Sequence, residues 1–171
     1  SLQSGFFTLR LVCAFVLVAF GVSLAFISYA ANPPAGTITP TSSAAVTWTG
    51  TADGVPPNTG GVDACDSTEG HGCDSYTLTI SGNPADWTGK QVQVQIGWGL
   101  PRTYYDLYVQ KNGATVASSA SGGTTIEQVD LNPSSPSIGT GVFVVRVVYF
   151  VPNPADQYQG AASVKVAGAP P

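Results

Sequence analysis

Short runs of β-branched and aromatic residues alternate with turn clusters at intervals of about ten residues from Ala44 onward. Eight runs are predicted to be strands: residues 45–49, 75–80, 91–98, 104–111, 114–119, 125–131, 142–150 and 162–166. Short strands with one polar and one apolar face bury most surface when two antiparallel sheets pack together. The sequence therefore predicts an all-β fold, a two-sheet antiparallel β-sandwich with one core.

Three segments predict local structure in more detail. In residues 91–96, Gln alternates with Val or Ile, so Val92, Val94 and Ile96 are expected to face the core. Asn112-Gly113 separates two strand runs, and a type I′ turn needs positive φ at both central residues, which Asn and Gly tolerate best. A tight hairpin is expected there. Residues 142–150 are almost continuously apolar, which predicts a central strand covered on both sides.

Composition excludes several functions. The chain carries six Lys and Arg residues and a formal net charge of -4, which argues against nucleic-acid binding. It has one histidine, His71, and no Gly-x-Ser-x-Gly motif, so we expect no enzyme activity.

Glu127 and Gln128 are expected on a solvated strand face. The three tryptophans, Trp48, Trp87 and Trp98, are expected to fill the core.

The first thirty residues are typical of an export segment. Arg10 precedes the uncharged run 11–31, and Ser28 and Ala30 supply the small residues of a cleavage site, which predicts a signal peptide over 1–30. The run is also long enough to span a bilayer as an uncleaved signal anchor. Gly5-Phe6 resembles the processing site of type IV pilins, but Arg10 stands where pilins have Glu. A secreted or extracellular surface location is expected, with membrane contact only through 11–31.

The remaining chain divides by composition. Residues 31–43 are rich in Pro, Thr and Ser and are predicted to be a surface tether, residues 44–167 the β-sandwich domain, and 168–171 the start of a linker. Cys13 lies in the export segment, so Cys65 and Cys73 are predicted to form a disulfide in an oxidising compartment.

Acidic residues around the cysteine pair are the candidates for a metal. No cofactor is expected, and the residues weighed as calcium ligands are Asp63, Asp66, Glu69 and Asp74. Acidic loops of this kind are more often simply solvated.

The middle of the chain carries a family resemblance. The segments 105–109 (Tyr-Asp-Leu-Tyr-Val), 112–113, 116–119 and 141–147, together with Glu127, resemble the bacterial pre-peptidase C-terminal domain family. The resemblance implies a jelly-roll β-sandwich appended to secreted proteases and other hydrolases, without catalysis of its own, that assists substrate or surface binding or secretion. Tyr104 stands where many members have Asp, so the paired carboxylates of those members are absent from this strand.

Residues 104–109 also predict a binding face. Period two places Tyr104, Asp106 and Tyr108 on one side of the strand, and the core is expected to take Leu107 and Val109 on the other. Because exposed aromatic rings stack on sugars, the first three residues form the candidate face for a polysaccharide or cell-surface glycan.

The sequence therefore predicts a non-catalytic accessory module of a secreted or surface-tethered bacterial protein, with a catalytic domain expected downstream in a longer parent chain. The alternative is a structural subunit of an extracellular filament or envelope layer, held by its N-terminal apolar helix.

Overall fold

The structure, a computed structural model, describes residues 30–52, 55–65 and 72–168. Nine strands account for most of these ranges: β1 (Ala30–Ile38), β2 (Val46–Thr51), β3 (Cys73–Ile80), β4 (Lys90–Trp98), β5 (Tyr104–Lys111), β6 (Ala114–Ser119), β7 (Ile126–Leu131), β8 (Gly141–Val151) and β9 (Gln157–Val166). Helical structure in these ranges is limited to two 3₁₀ turns, Val62–Ala64 and Pro84–Trp87. The predicted all-β class is confirmed.

The N-terminal helix is predicted over residues 1–30, of which 1–29 lie outside the described ranges and Ala30 begins β1. Within the described ranges, none of the helical segments has the length and apolar character needed to cross a membrane.

The strands form one nearly closed sheet in the order β6-β5-β8-β3-β1-β2-β9-β4-β7. Strand β1 lies parallel to β3 and antiparallel to β2, and every other neighbouring pair is antiparallel. At the two ends of the sheet, the Ser119 hydroxyl of β6 donates a hydrogen bond to the Glu127 carboxylate of β7. The expected separation into two sheets is not confirmed, because β1 is hydrogen-bonded to both halves.

Strand β1 lies where the sequence predicted only a surface tether, so that prediction is wrong for residues 31–38. Ile38 is fully buried and pairs with Ile80 of β3, while most other β1 side chains are exposed. The strand is held by main-chain hydrogen bonds, which a Pro- and Thr-rich segment can still form. The other predicted domain limits stay predictions.

Side chains on the inner face of the curled sheet form the core. Val92, Val94 and Ile96 are fully buried, as are Leu107 and Val109, which confirms the predicted orientation of β4 and β5. The three tryptophans are buried as predicted, with exposures of 8% or less.

Strand β8 is central, but the outer face of its first half is not covered. Val142 on its outer face is 57% exposed, whereas Val148 on the same face is fully buried. The prediction that both faces are covered is therefore wrong for the first half of the strand.

Two local predictions are confirmed. Asn112 and Gly113 have φ angles of 51° and 79° in the turn between β5 and β6, as a type I′ hairpin requires. Cys65 and Cys73 form a disulfide with their Cα atoms 5.4 Å apart. The bond ties the 3₁₀ turn at Val62–Ala64 to the start of β3.

Candidate functional site

The predicted binding face lies on the outside of β5, and much of it is covered. Asp106 is only 6% exposed, while Tyr104 and Tyr108 are half-buried. The Tyr104 ring packs edge-on against the Phe150 ring, with ring centroids 5.3 Å apart. Burial raises the pKa of the Asp106 carboxyl, and the nearby Glu127 charge raises it further. This face offers a ligand two partly covered rings, and its binding role stays a prediction.

The aromatic residues next to that face lie in the interior. Tyr105, Tyr149 and Tyr158 are fully buried, and Trp98 is 8% exposed. Their rings meet edge to face, with centroids 5.2 Å apart for Trp98 and Tyr105 and 5.1 Å apart for Tyr105 and Tyr149. These rings stabilise the core and are not available to stack on a sugar.

Glu127 does not lie on a solvated face, so that prediction is wrong. Its side chain points inward beside Ile96 and is only 1% exposed. The carboxylate accepts hydrogen bonds from the Ser119 hydroxyl, from the Ser121 amide at 2.8 Å and from the Thr124 hydroxyl at 3.3 Å. These partners belong to the end of β6 and the loop after it, so Glu127 joins the two edges of the sheet.

The structure separates the two described calcium candidates. Asp63 is exposed on a 3₁₀ turn, whereas Asp74 points into the interior and is 1% exposed. Asp66, Glu69 and the single histidine, His71, lie outside the described residues. Among the described residues, no group of three or more His, Cys, Asp or Glu side chains is arranged to hold a metal ion.

Asp74 is the centre of a buried polar network. The Tyr158 phenol donates to its carboxylate at 2.6 Å, the Tyr149 phenol at 3.4 Å and the Ser75 amide at 2.6 Å. Burial raises the pKa of Asp74 to about 6, although these hydrogen bonds act to lower it. The network joins β3, β8 and β9 inside the barrel.

A groove of about 810 Å³ crosses the outer face of the other half of the sheet. Its lining comes from β1, β2, β9, β4 and the start of β7, which are neighbours in that order. Six side chains on the strands bring hydroxyl or amide groups to the lining, and Thr125 adds a hydroxyl just before β7; the six are Asn32, Thr47, Thr49, Gln95, Gln157 and Gln159. The strand register sets these groups in rows across the strands. Thr49 pairs with Gln159, and Thr47 pairs with Ala161, which in turn pairs with Gln95.

Small residues make the groove deep. Gly97 and Ala161 lie on adjacent strands, where they pair with Gln159 and Gln95 respectively. A Cβ atom at Gly97 would fit without a clash, in ordinary van der Waals contact with the Thr125 carbonyl oxygen at 3.7 Å and Ile126 Cγ1 at 3.8 Å. Pro33 and the 51%-exposed Ile126 add apolar contacts at opposite ends of the groove. The groove is therefore a neutral surface with hydrogen-bonding groups along its length.

The sequence contained a partial signal for this groove. Outward-facing Gln95 follows from the alternation in residues 91–96, and the same period places Thr47 and Thr49 on one side of β2. What the sequence did not indicate is that β2, β9 and β4 are neighbours, since they are separated along the chain by strands of the other half.

Comparison with solved structures finds similar folds at low identity. The pre-peptidase C-terminal domain of collagenase from Bacillus anthracis is 14% identical, with a TM-score of 0.43 over 77% of this chain and 94% of that chain. This match is to the same kind of domain that the motifs in residues 105–147 resemble.

Two carbohydrate-binding modules also match, with lower TM-scores. The CBM36-1 domain of a multidomain xylanase from the hindgut metagenome of Trinervitermes trinervoides is 16% identical, with a TM-score of 0.30 over 58% of this chain and 73% of that chain. A CBM36 module in complex with calcium and xylotriose is 15% identical, with a TM-score of 0.31 over 55% and 73%. The sequence matches no family model and no curated protein.

Proposed function

We propose that this chain is a non-catalytic accessory module of a secreted or surface-tethered protein, and that it binds carbohydrate through the groove across β1, β2, β9, β4 and β7. The observation that carries the proposal is the groove itself, an open neutral surface lined by hydroxyl and amide side chains. Amide side chains both donate and accept hydrogen bonds, as sugar hydroxyls do. A glycan can therefore satisfy the groove without any charged contact.

The lining also supports a binding role over a catalytic one. None of the described lining residues is an acid, a base or a cysteine. General acid–base or nucleophilic catalysis needs such a group within hydrogen-bond reach of the substrate. A ligand in the groove would be held there without being cleaved.

The lining of the groove also predicts that a single copy of this module binds carbohydrate weakly. The two tryptophans that contribute to its lining, Trp48 and Trp98, are 1% and 8% exposed, so their faces are not free for stacking. Hydrogen bonds exchanged with water contribute only about 1 kcal/mol each. We expect a dissociation constant of about a millimolar, which suits a module that works beside another domain.

Retention on insoluble or gel-immobilised polysaccharides tests the proposal. The decisive variant is Gly97→Val, because its side chain would project into the groove without a clash beneath it. A β-branched residue also suits a strand. We expect Gly97→Val to abolish retention with an unchanged melting temperature, and Gln159→Ala to weaken it about two- to tenfold.

Thr77→Val is the matched control. Thr77 is exposed on β3, on the outer face of the opposite half of the sheet, so the same valine is introduced away from the groove. Retention should match that of the unmodified chain. If Gly97→Val folds and is retained equally well, the groove is not the carbohydrate site. If Tyr104→Ala or Tyr108→Ala removes retention instead, the face on β5 is the site.

A further inference from the structure

We propose that the ligand of this groove is an uncharged polysaccharide chain that lies across the strands, and that the groove discriminates against charged polymers. This inference rests on the proposed function, because it names the class of carbohydrate that the same site takes. Three features of the groove support it: its charge, its length and its place within the sheet.

Charge is absent from the described lining. The six hydrogen-bonding side chains are amides and hydroxyls, and the remaining lining residues are glycine or apolar apart from Thr125. A uronic acid or an amino sugar placed here would lose hydration without gaining an opposite charge, which is costly. Farther along β7 and β9, Asp130 pairs with Gln93 and Lys165 pairs with Gln91, and these opposite charges select neither kind of charged polymer. Beside the groove, the Asp156 carboxylate accepts hydrogen bonds from the Gly99 and Leu100 amides and is only 5% exposed, so it is not open to a ligand cation.

The groove is longer than one sugar. Its lining spans five neighbouring strands, and four interstrand spacings of about 4.8 Å give a length of about 19 Å. Hydrogen-bonding groups are spread over this span, from Asn32 and Thr49 at one side through Gln159 to Gln95. An oligosaccharide segment fills such a site, whereas a monosaccharide contacts only part of it.

The position of the groove favours carbohydrate over an extended peptide. Peptides that bind sheets add a strand at an edge with free main-chain groups, or dock a polyproline helix on exposed aromatic rings. Here the groove lies over β2, β9 and β4, whose main chains pair with strands on both sides. With Trp48 and Trp98 buried, neither mode of peptide recognition is available on this surface.

The experiment compares matched neutral and charged polymers. Retention of the full chain is measured by affinity electrophoresis in a neutral glucan, a neutral xylan, a carboxymethylated glucan and chitosan, at low and at moderate salt. Isothermal titration with neutral oligosaccharides, from disaccharide to hexasaccharide, then measures the dependence on length. We expect retention by at least one neutral polymer, about fivefold weaker retention by its charged counterpart, and affinity that increases with length.

A variant with a charge in the groove tests directly whether the neutral lining causes the discrimination against charged polymers. Gln95→Lys puts a cation between Ala161 and Gln128 on the outer face, and should raise retention in carboxymethylated glucan about fivefold at low salt. Thr77→Lys adds the same charge on the opposite half of the sheet and controls for net charge. Its retention in that gel should stay near that of the unmodified chain.

The outcomes separate the two proposals. Stronger retention of the unmodified chain by a charged polymer, lost in Gly97→Val, would overturn the neutral-chain inference while the carbohydrate site stands. Affinity that is the same for every oligosaccharide length would overturn the claim that the chain lies across the strands. Retention by none of the polymers, or retention that Gly97→Val leaves unchanged, would overturn the proposed function and this inference with it.

Discussion

Replacing Asp74 with Asn removes the charge of the buried network while nearly preserving the shape of the side chain. The carboxylate is 1% exposed and receives hydrogen bonds from Tyr158 at 2.6 Å and from the Ser75 amide at 2.6 Å. These bonds favour the charged form, but burial disfavours it more strongly, so the pKa of Asp74 rises from 3.8 to about 6. Folding therefore holds a proton on this side chain in mildly acidic solution.

The pH dependence of the free energy of unfolding follows from the difference between the folded and the ordinary pKa of Asp74. Between about pH 4 and pH 6 the folded chain binds a proton that the unfolded chain has lost, so the free energy of unfolding falls as pH rises through this window. Each pH unit between the two pKa values corresponds to about 1.4 kcal/mol, so Asp74 contributes about 3 kcal/mol at pH 4 that is lost above pH 6. The raised pKa of Asp106 adds a contribution of the same sign.

Urea unfolding at a series of pH values from about 3.5 to 7.5 measures the pH dependence of the free energy of unfolding. We expect stability to fall with pH in the unmodified chain, and the fall to be about 3 kcal/mol smaller in Asp74→Asn. Asp130→Asn, at an exposed carboxylate, is the control and should keep the full dependence. If Asp74→Asn shows the same dependence as the unmodified chain, the buried carboxylate does not hold a proton in this window and the reasoning is wrong.

Three further changes test the packing of the fold. Leu107→Ala should lower the free energy of unfolding by about 2–5 kcal/mol because the side chain is fully buried, and a harmless result would mean that β5 is oriented the other way. Gly160→Ala should cost about 1–3 kcal/mol, since its Cβ would lie 2.0 Å from the Trp48 ring; an unchanged melting temperature would contradict that contact. Replacing Cys65 and Cys73 with Ala should cost about 2–3 kcal/mol in urea unfolding, and equal stability would show that the bond adds nothing.

Periodicity predicted the strands whose side chains make the core. The alternation in residues 91–96 and in β5 correctly assigned the buried side, because a half-buried strand must alternate in polarity. The Asn112-Gly113 turn was predictable because its positive φ angles require particular residues. In both cases residues that are adjacent along the chain determine the local structure.

The sequence did not predict the features that are held by main-chain or loop contacts. Strand β1 contributes only Ala31 and Ile38 to the core, so its composition resembles that of a linker. Glu127 was assigned to a solvated face because its partners, Ser119, Ser121 and Thr124, come from a turn that no periodic pattern describes. A buried carboxylate needs such partners, and the sequence does not show that they converge.

The candidate groove depends on the interior beneath it. Gly160 allows the Trp48 ring to pack directly under β9, and Gly50 allows Tyr158 and Asp74 to approach β2, where a Cβ would lie 2.2 Å and 2.3 Å from their atoms. These close contacts hold in register the two strands that carry Thr49 and Gln159. A larger residue at Gly50 or Gly160 should therefore disturb stability and carbohydrate retention together. A Cβ at Gly97 meets its neighbours only at ordinary contact distances of 3.7 Å and more, so a side chain there should change retention alone. This variant therefore separates the shape of the groove from the stability of the sheet that forms it.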